Sequence, residues 1–188
     1  MNPFQYYEPI LKANLKTYGA TKIYALWNDR TRFYHNLSHL KDVLAYIQRY
    51  SYRLAEEEFS DLVLAAFYHD AIYDPKRDDN EDKSIALLKS HLLDLARFEK
   101  IAGYIELTKH RRKPHFFKDE LFWTADNQIF RKNFRAVLLW EKGIKKEFQY
   151  VGKEEYKKGR IAFLQTNLGV FGSLGDTNIN KLIKHLEK

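Results

Sequence analysis

The chain has 188 residues, enough to close a sizeable hydrophobic core as one domain spanning 1–188 without staples. It contains no cysteine, which excludes disulfides, thiolate metal sites and thiol nucleophiles, so any metal must be held by nitrogen and oxygen. The net charge of +7 is uneven: residues 1–94 carry 12 basic and 14 acidic side chains and residues 95–188 carry 20 and 11, so the halves contribute −2 and +9. A basic half suits an anionic partner such as a nucleic acid or a phosphorylated small molecule, although scattered lysines on solvated helix faces are the commonest cause of such a bias.

The opening Met-Asn-Pro-Phe-Gln-Tyr-Tyr-Glu has neither the basic nor the apolar region of a signal peptide, and no apolar run reaches membrane-spanning length, so the expectation is a cytoplasmic protein with no membrane partner. Pro9 suits the first turn of a helix ending near Gly19, and Thr21 can cap a second helix through Trp27. From about Asn36 to Tyr50, Leu40, Val43, Leu44 and Ile47 follow i, i+3, i+4, i+7 spacing. His39 lies on the row of Val43 and Ile47 and so points inward, and His35 precedes it by four residues. A core histidine satisfied by a hydrogen bond is the ordinary reading of one such residue.

Glu56 to about Ile72 reads as a further helix, with Leu62, Val63, Ala66, His69, Asp70 and Tyr73 on one face. Asp74-Pro75 breaks it, and Asp78 or Asp79 can cap the next helix, from about Asn80, whose Ile85, Leu88, Leu92 and Leu95 turn inward. Arg97 to His110 follows as a helix, ended by Pro114 within a basic loop from Lys109 to Lys118. Phe122, Asp126, Ile129 and Phe130 then share a face, putting another carboxylate on an apolar stripe. Phe134–Phe148 and Glu154–Leu168 are two more helices, and a last one is capped by Asp176 or Thr177. The Gly-rich piece from Gly169 to Gly175 reads as a helix connection, since no strand precedes it and no Gly-Lys-Ser/Thr appears. The pattern is all-α, without repeats or a dividing linker.

His39, the pair His69 and Asp70, and Asp126 thus point inward from three helices. Burying carboxylates is costly unless they are paired or coordinate a cation, and no inward Arg or Lys accompanies these two on their own helices. A divalent metal satisfies both, with two imidazoles and two carboxylates as ligands and two octahedral positions left for water and substrate. Such a set suits manganese, iron, cobalt, nickel or magnesium better than zinc in a closed site.

Tyr34-His35-Asn36-Leu37-Ser38-His39, then Phe67-Tyr68-His69-Asp70-Ala71-Ile72-Tyr73-Asp74, then Asp126 resembles the His, His-Asp, Asp signature of the HD superfamily of metal-dependent phosphohydrolases. The likeness is closest to its branch of small predicted HD phosphohydrolases. Asp79-Asn80-Glu81 with Ser84 resembles that branch's Asp-Asn-Glu and Ser element, Thr108-Lys109-His110 its Thr-Lys-His helix end, Ile144–Val151 its Ile-Arg-x-Glu-Tyr segment, and Gly159-Arg160 its Gly-Arg pair. Around Asp126 the chain departs from the branch, which reads Asp-Ala-Asp-Leu followed by Gly where this sequence has Thr124-Ala125-Asp126-Asn127 and Arg131.

The resemblance implies a single-domain helical bundle of the HD type and a phosphomonoesterase or phosphodiesterase acting on a nucleotide or related small phosphorylated metabolite. It implies a metal held by His39, His69, Asp70 and Asp126, with Asp70 also able to accept a proton from water. The Tyr-His-Asn-x-x-His spacing is similar to that of cyclic nucleotide phosphodiesterases, which makes His35 the proton-donor candidate against its reading as a surface histidine at a helix start. Glu81 either orients and deprotonates a water or stabilises its helix N-terminus. Asn80 binds phosphate or caps, and His110 is an extra ligand, a phosphate contact or a helix-end histidine. Arg111, with Arg112, Lys113 and Lys118, forms a candidate basic rim; Arg32 and Arg160 are candidate substrate arginines, each with a structural salt bridge as its plain alternative. Two rival readings use the same helices: a di-iron oxygenase, which needs His110 for a second metal, and a non-catalytic nucleotide- or RNA-binding module.

Overall fold

The computed structural model describes residues 2–109 and 114–188. Among them the architecture is all-helical, with eleven α-helices: α1 (Pro3–Tyr6), α2 (Glu8–Asn14), α3 (Thr17–Trp27), α4 (Leu37–Arg49), α5 (Glu56–Tyr68), α6 (Asn80–His91), α7 (Phe98–Glu106), α8 (Phe117–Asn127), α9 (Phe134–Glu147), α10 (Lys153–Thr166) and α11 (Gly172–Glu187). No described helix is long and apolar enough to cross a membrane. The chain divides into two compact units, the first made of residues up to Arg30 with His35–Asp126, the second of Thr31–Tyr34 with Asn127–Lys188.

The first unit is built around α5, which packs against α2, α4, α6 and α7. Every residue from Leu62 to Tyr68 has 0 % exposure, so α5 is enclosed on all sides, where amphipathic spacing predicts one buried face. The run Leu-Val-Leu-Ala-Ala-Phe-Tyr explains this, because a helix apolar all round is stable only in an interior. Each large side chain in it contributes about 1.5–3 kcal/mol by leaving water. Asp61, also at 0 %, is neutralised by Arg97, whose Nε donates to Oδ1 at 2.8 Å, and by Lys100, whose Nζ lies 2.7 Å from Oδ2.

The helix expected from Pro9 to near Gly19 is divided instead into α2 and α3, and Thr21 lies inside α3. Leu15 is extended and forms an isolated antiparallel bridge with Leu92, as Lys16 N–H donates to His91 O at 2.8 Å and Leu93 N–H to Asn14 O at 3.0 Å. Long-range pairing there displaces local helix propensity.

In the second unit, buried Glu147 on α9 accepts the backbone N–H groups of Phe33 at 2.8 Å and Tyr34 at 2.7 Å, tying that short segment to the helix. Buried Glu141 accepts Tyr156 Oη at 2.6 Å and Arg160 Nε at 2.8 Å. Asn178 Nδ2 donates to the carbonyls of Phe130 and Lys132, each at 2.8 Å. Helix α11 begins before the expected caps, at Gly172; Asp176 instead accepts the Gly169 N–H at 2.8 Å, closing the turn that Gly169 makes at φ +81°. A Cβ on Gly175 would lie 2.5 Å from Phe171 Cβ, so the glycine there permits close packing.

Candidate metal centre

His39 and His69 reach the first unit's interior by different routes. Asn36 caps α4, its side chain accepting the Ser38 N–H at 2.8 Å, which starts the helix one residue before Ser38 and turns His39 inward beside Leu40 and Val43. His69 sits at the C-cap of α5, where expectation carried the helix on to about Ile72. Of the last four carbonyls of that helix, Ala65 O keeps an ordinary helical partner and the other three find partners outside a continuing α-helical turn. His69 N–H takes Ala65 O at 2.8 Å, His69 Nδ1 takes Ala66 O at 2.8 Å, Trp27 Nε1–H takes Phe67 O at 2.8 Å, and Ala71 N–H takes Tyr68 O at 3.0 Å.

The Ala66 contact decides the chemistry of His69. A carbonyl only accepts, so Nδ1 carries the proton and the Nε2 lone pair is free to bind a cation, the arrangement that fixes tautomer and ring orientation in metal-ligating histidines. The ring is walled by Trp27, with centroids 5.7 Å apart, and by Phe122 at 6.1 Å, edge to face. Phe122 lies one helical turn before Asp126 on α8 and so shares its face.

Four donor atoms converge. His39 Nε2 is 3.1 Å from His69 Nε2 and 3.2 Å from Asp126 Oδ1, and His69 Nε2 is 3.6 Å from that same oxygen. His39, His69 and Asp126 each offer a ligand atom, all within 4.8 Å of one another, and the group could hold a metal ion. Asp70 Oδ2 adds a fourth donor, 3.1 Å from His69 Nε2 and 3.5 Å from His39 Nε2. Metal–ligand bonds of about 2.0–2.2 Å place adjacent donors about 3.0 Å apart in an octahedron and about 3.4 Å apart in a tetrahedron. The separations of 3.1 and 3.2 Å are close to the octahedral spacing and those of 3.5 and 3.6 Å lie slightly beyond the tetrahedral one, so His39, His69 and Asp126 could hold a metal ion, with Asp70 beside them.

The electrostatics agree with a cation-binding pocket. Burial by itself pushes the His39 pKa down, but hydrogen bonds and charge from Asp126 and Asp70 more than reverse this and raise it to about 10. His69 follows the same balance, lowered by burial and raised overall by Asp70 and Asp126. Burial pushes Asp70 up, while His69, His35 and His39 hold it well below the usual carboxylate range. Two largely enclosed carboxylates thus draw positive charge to this point, supplied by protons or by a metal.

The remaining sequence-predicted residues are distributed more widely. His35 lies in the turn before α4, half-buried, with its ring stacked on Tyr73 at 4.0 Å and 28° and 5.9 Å from the His39 ring. Asn80 opens α6 and uses both ends of its amide on the backbone of Asp74, accepting its N–H at 3.0 Å and donating to its carbonyl at 2.9 Å. Glu81 stands in the first turn of α6, where a negative charge favours the helix terminus. Arg32 is buried in the second unit, as is most of Arg160, which is ion-paired to Glu141 with its guanidinium over Trp140 at 4.2 Å. His110, Arg111, Arg112 and Lys113 lie outside the described residues, and the flanking Lys109 is paired with Asp82 and Glu106. Trp27 was not singled out from the sequence, since it belongs to no motif and reaches His69 from a distant helix.

No protein-family model matches the chain, and no curated protein and no solved structure matches it either.

Proposed function

We propose that the chain is a metal-dependent phosphohydrolase of the HD type, cleaving a phosphate ester of a nucleotide or a related small phosphorylated metabolite. The observation that carries this reading is the convergence of His39 Nε2, His69 Nε2 and Asp126 Oδ1, with Asp70 Oδ2 beside them, at metal-ligand spacing. Its second support is the ordered His, His-Asp, Asp sequence pattern and the histidine motif beginning at His35.

His39, His69, Asp70 and Asp126 would hold a divalent ion, which supplies Lewis acidity toward water and a phosphoryl oxygen. The protein residues then divide the proton work. Water provides the oxygen that replaces the leaving group at phosphorus and gives its proton to Asp70. As the phosphorus–oxygen bond breaks, its electron pair stays on the leaving oxygen, which takes a proton from His35. The apolar wall of Trp27 and Phe122 keeps bulk water from His69 and strengthens the electrostatic contacts there. Metal analysis of the purified protein, joined to a phosphate-release screen over nucleotides and sugar phosphates with added manganese, iron, cobalt, nickel, magnesium or zinc, tests the reading. About one metal per chain and turnover of at least one ester are expected; a metal-free protein that cannot be loaded overturns it.

A further inference from the structure

We infer that Tyr73 is a positioning residue for His35, and that α6 holds Tyr73 in place through Asn80 and Ser84. The inference rests on the reading of His35 as the proton donor. His35 precedes α4, so no helical backbone orients its ring. The ring is nevertheless stacked on Tyr73, with centroids 4.0 Å apart and planes 28° from parallel. A stacked partner covers an imidazole's face and restricts rotation of the ring. A proton donor needs a ring held in one orientation toward the leaving oxygen.

Tyr73 could not do this from a loose loop, and it stands in the irregular segment between α5 and α6. Both of its chain neighbours are fastened. On one side, Ile72 N–H donates to Ser84 Oγ at 3.0 Å, and Ser84 is fully buried. On the other, Asp74 is held at both its N–H and its carbonyl by Asn80. Asn80 and Ser84 are four residues apart, on one face of α6, so a single helix pins the backbone on either side of the tyrosine. Asn80, expected from the sequence to bind phosphate or cap, also braces this loop through Asp74.

The experiment compares wild type with Tyr73→Phe, Tyr73→Leu and Tyr73→Ala, each also in a His35→Ala background, in manganese-loaded protein. Phenyl phosphate, whose leaving oxygen needs a proton, is set against 4-nitrophenyl phosphate, whose leaving oxygen does not. Tyr73→Phe keeps the planar face and retains turnover. Tyr73→Leu keeps the bulk without the plane, and with Tyr73→Ala it lowers kcat for phenyl phosphate by about tenfold at unchanged metal content, with little effect on 4-nitrophenyl phosphate. In the His35→Ala background the same changes add nothing further. Equal losses on both esters, additive losses with His35→Ala, or failure of Tyr73→Phe to retain turnover overturn the inference.

A second readout does not depend on activity. The ring protons of His35, assigned by their absence in His35→Ala, carry the ring-current shift of a stacked aromatic in wild type and in Tyr73→Phe. They return toward free-histidine positions in Tyr73→Ala and when Asn80 and Ser84 are both changed to Ala. Unchanged His35 resonances in Tyr73→Ala reject the positioning role. Wild-type protein that loads metal and cleaves no ester rejects the phosphohydrolase reading instead, while the ring-proton shifts still decide whether Tyr73 holds His35.

Discussion

The Nε2 atoms of His39 and His69 face each other at 3.1 Å in a pocket where neither ring is more than 4 % exposed. Nδ1 of His69 already donates to Ala66, so its Nε2 is an acceptor in the neutral ring. Two imidazole lone pairs at that distance repel unless a proton or a cation lies between them. The carboxylates of Asp70 and Asp126, within 3.1 to 3.6 Å of these nitrogens, supply the negative charge that retains either one.

Metal-free and metal-loaded protein should therefore respond to pH in opposite directions. The folded-state pKa of His39 is raised from 6.5 to about 10, so its contribution to metal-free stability is whole below pH 6.5 and is lost as pH rises toward 10. Asp70 is lowered from 3.8, so its contribution is present above that value and is lost as pH falls through the folded pKa. In chelator, Tm should be highest between these limits and decline above pH 6.5. Metal must displace the imidazole protons, so affinity should rise by about tenfold per pH unit for each proton displaced. Thermal melts from pH 5 to 9.5, with and without manganese, check both slopes; parallel curves would contradict the linkage.

Removal of a ligand carboxylate should empty the site without unfolding the protein. Asp70→Ala and Asp126→Ala each take a donor and a negative charge from the pocket, while the enclosed α5 keeps its apolar packing. Metal content after desalting should fall from about one per chain to near zero, with far-ultraviolet circular dichroism unchanged. Retention of metal in either variant would remove that residue from the ligand set.

His35→Ala should separate acid catalysis from metal binding. His35 contacts Tyr73 and sits 5.9 Å, ring to ring, from His39, outside the donor cluster. The variant should keep its metal and lose roughly a hundredfold or more in turnover of an ester with a poor leaving group, as expected for a missing general acid. Loss of metal in this variant would place His35 among the ligands.

Much of this arrangement was legible from spacing alone. His39 lies on the row of Val43 and Ile47, and Asp126 on that of Phe122, so helical periodicity turned both inward. His91 shows the limit of that reasoning: it too is buried, but its Nδ1 meets Tyr68 Oη at 2.8 Å. Periodicity tells which way a side chain points, while its partner comes from another helix that local sequence does not identify. The full enclosure of α5, the strand-like break at Leu15 and the contact of Trp27 with His69 were hidden for the same reason. Asn80 illustrates a further case: its position at a helix start allowed a phosphate contact or a cap, and its hydrogen bonds to the backbone of Asp74 could not be read from the sequence.

Asp61 and Asp126 offer the sharpest contrast between a carboxylate that holds the fold and one in a group that could hold a metal ion. Both lie on helices of the first unit, and Asp61 is the more deeply buried, at 0 % against 10 % for the Asp126 side chain. Asp61 is compensated by cations of the protein itself, Arg97 and Lys100, whereas Asp126 faces two imidazoles. Asp61→Asn should leave Arg97 with its charge half-enclosed and unmatched, costing about 3 kcal/mol of stability in urea denaturation, at the lower end for a broken buried pair. Metal affinity of the folded protein should stay unchanged, since Asp61 is engaged by Arg97 and Lys100. Asp126→Asn should show the reverse: a large fall in metal affinity with a much smaller change in metal-free stability at pH 9.5, where the contribution of the His39 proton is largely lost. If Asp61→Asn weakens metal binding while the protein remains folded, the Asp61 network and the donor cluster are coupled through α5, and the division of roles between the two carboxylates fails.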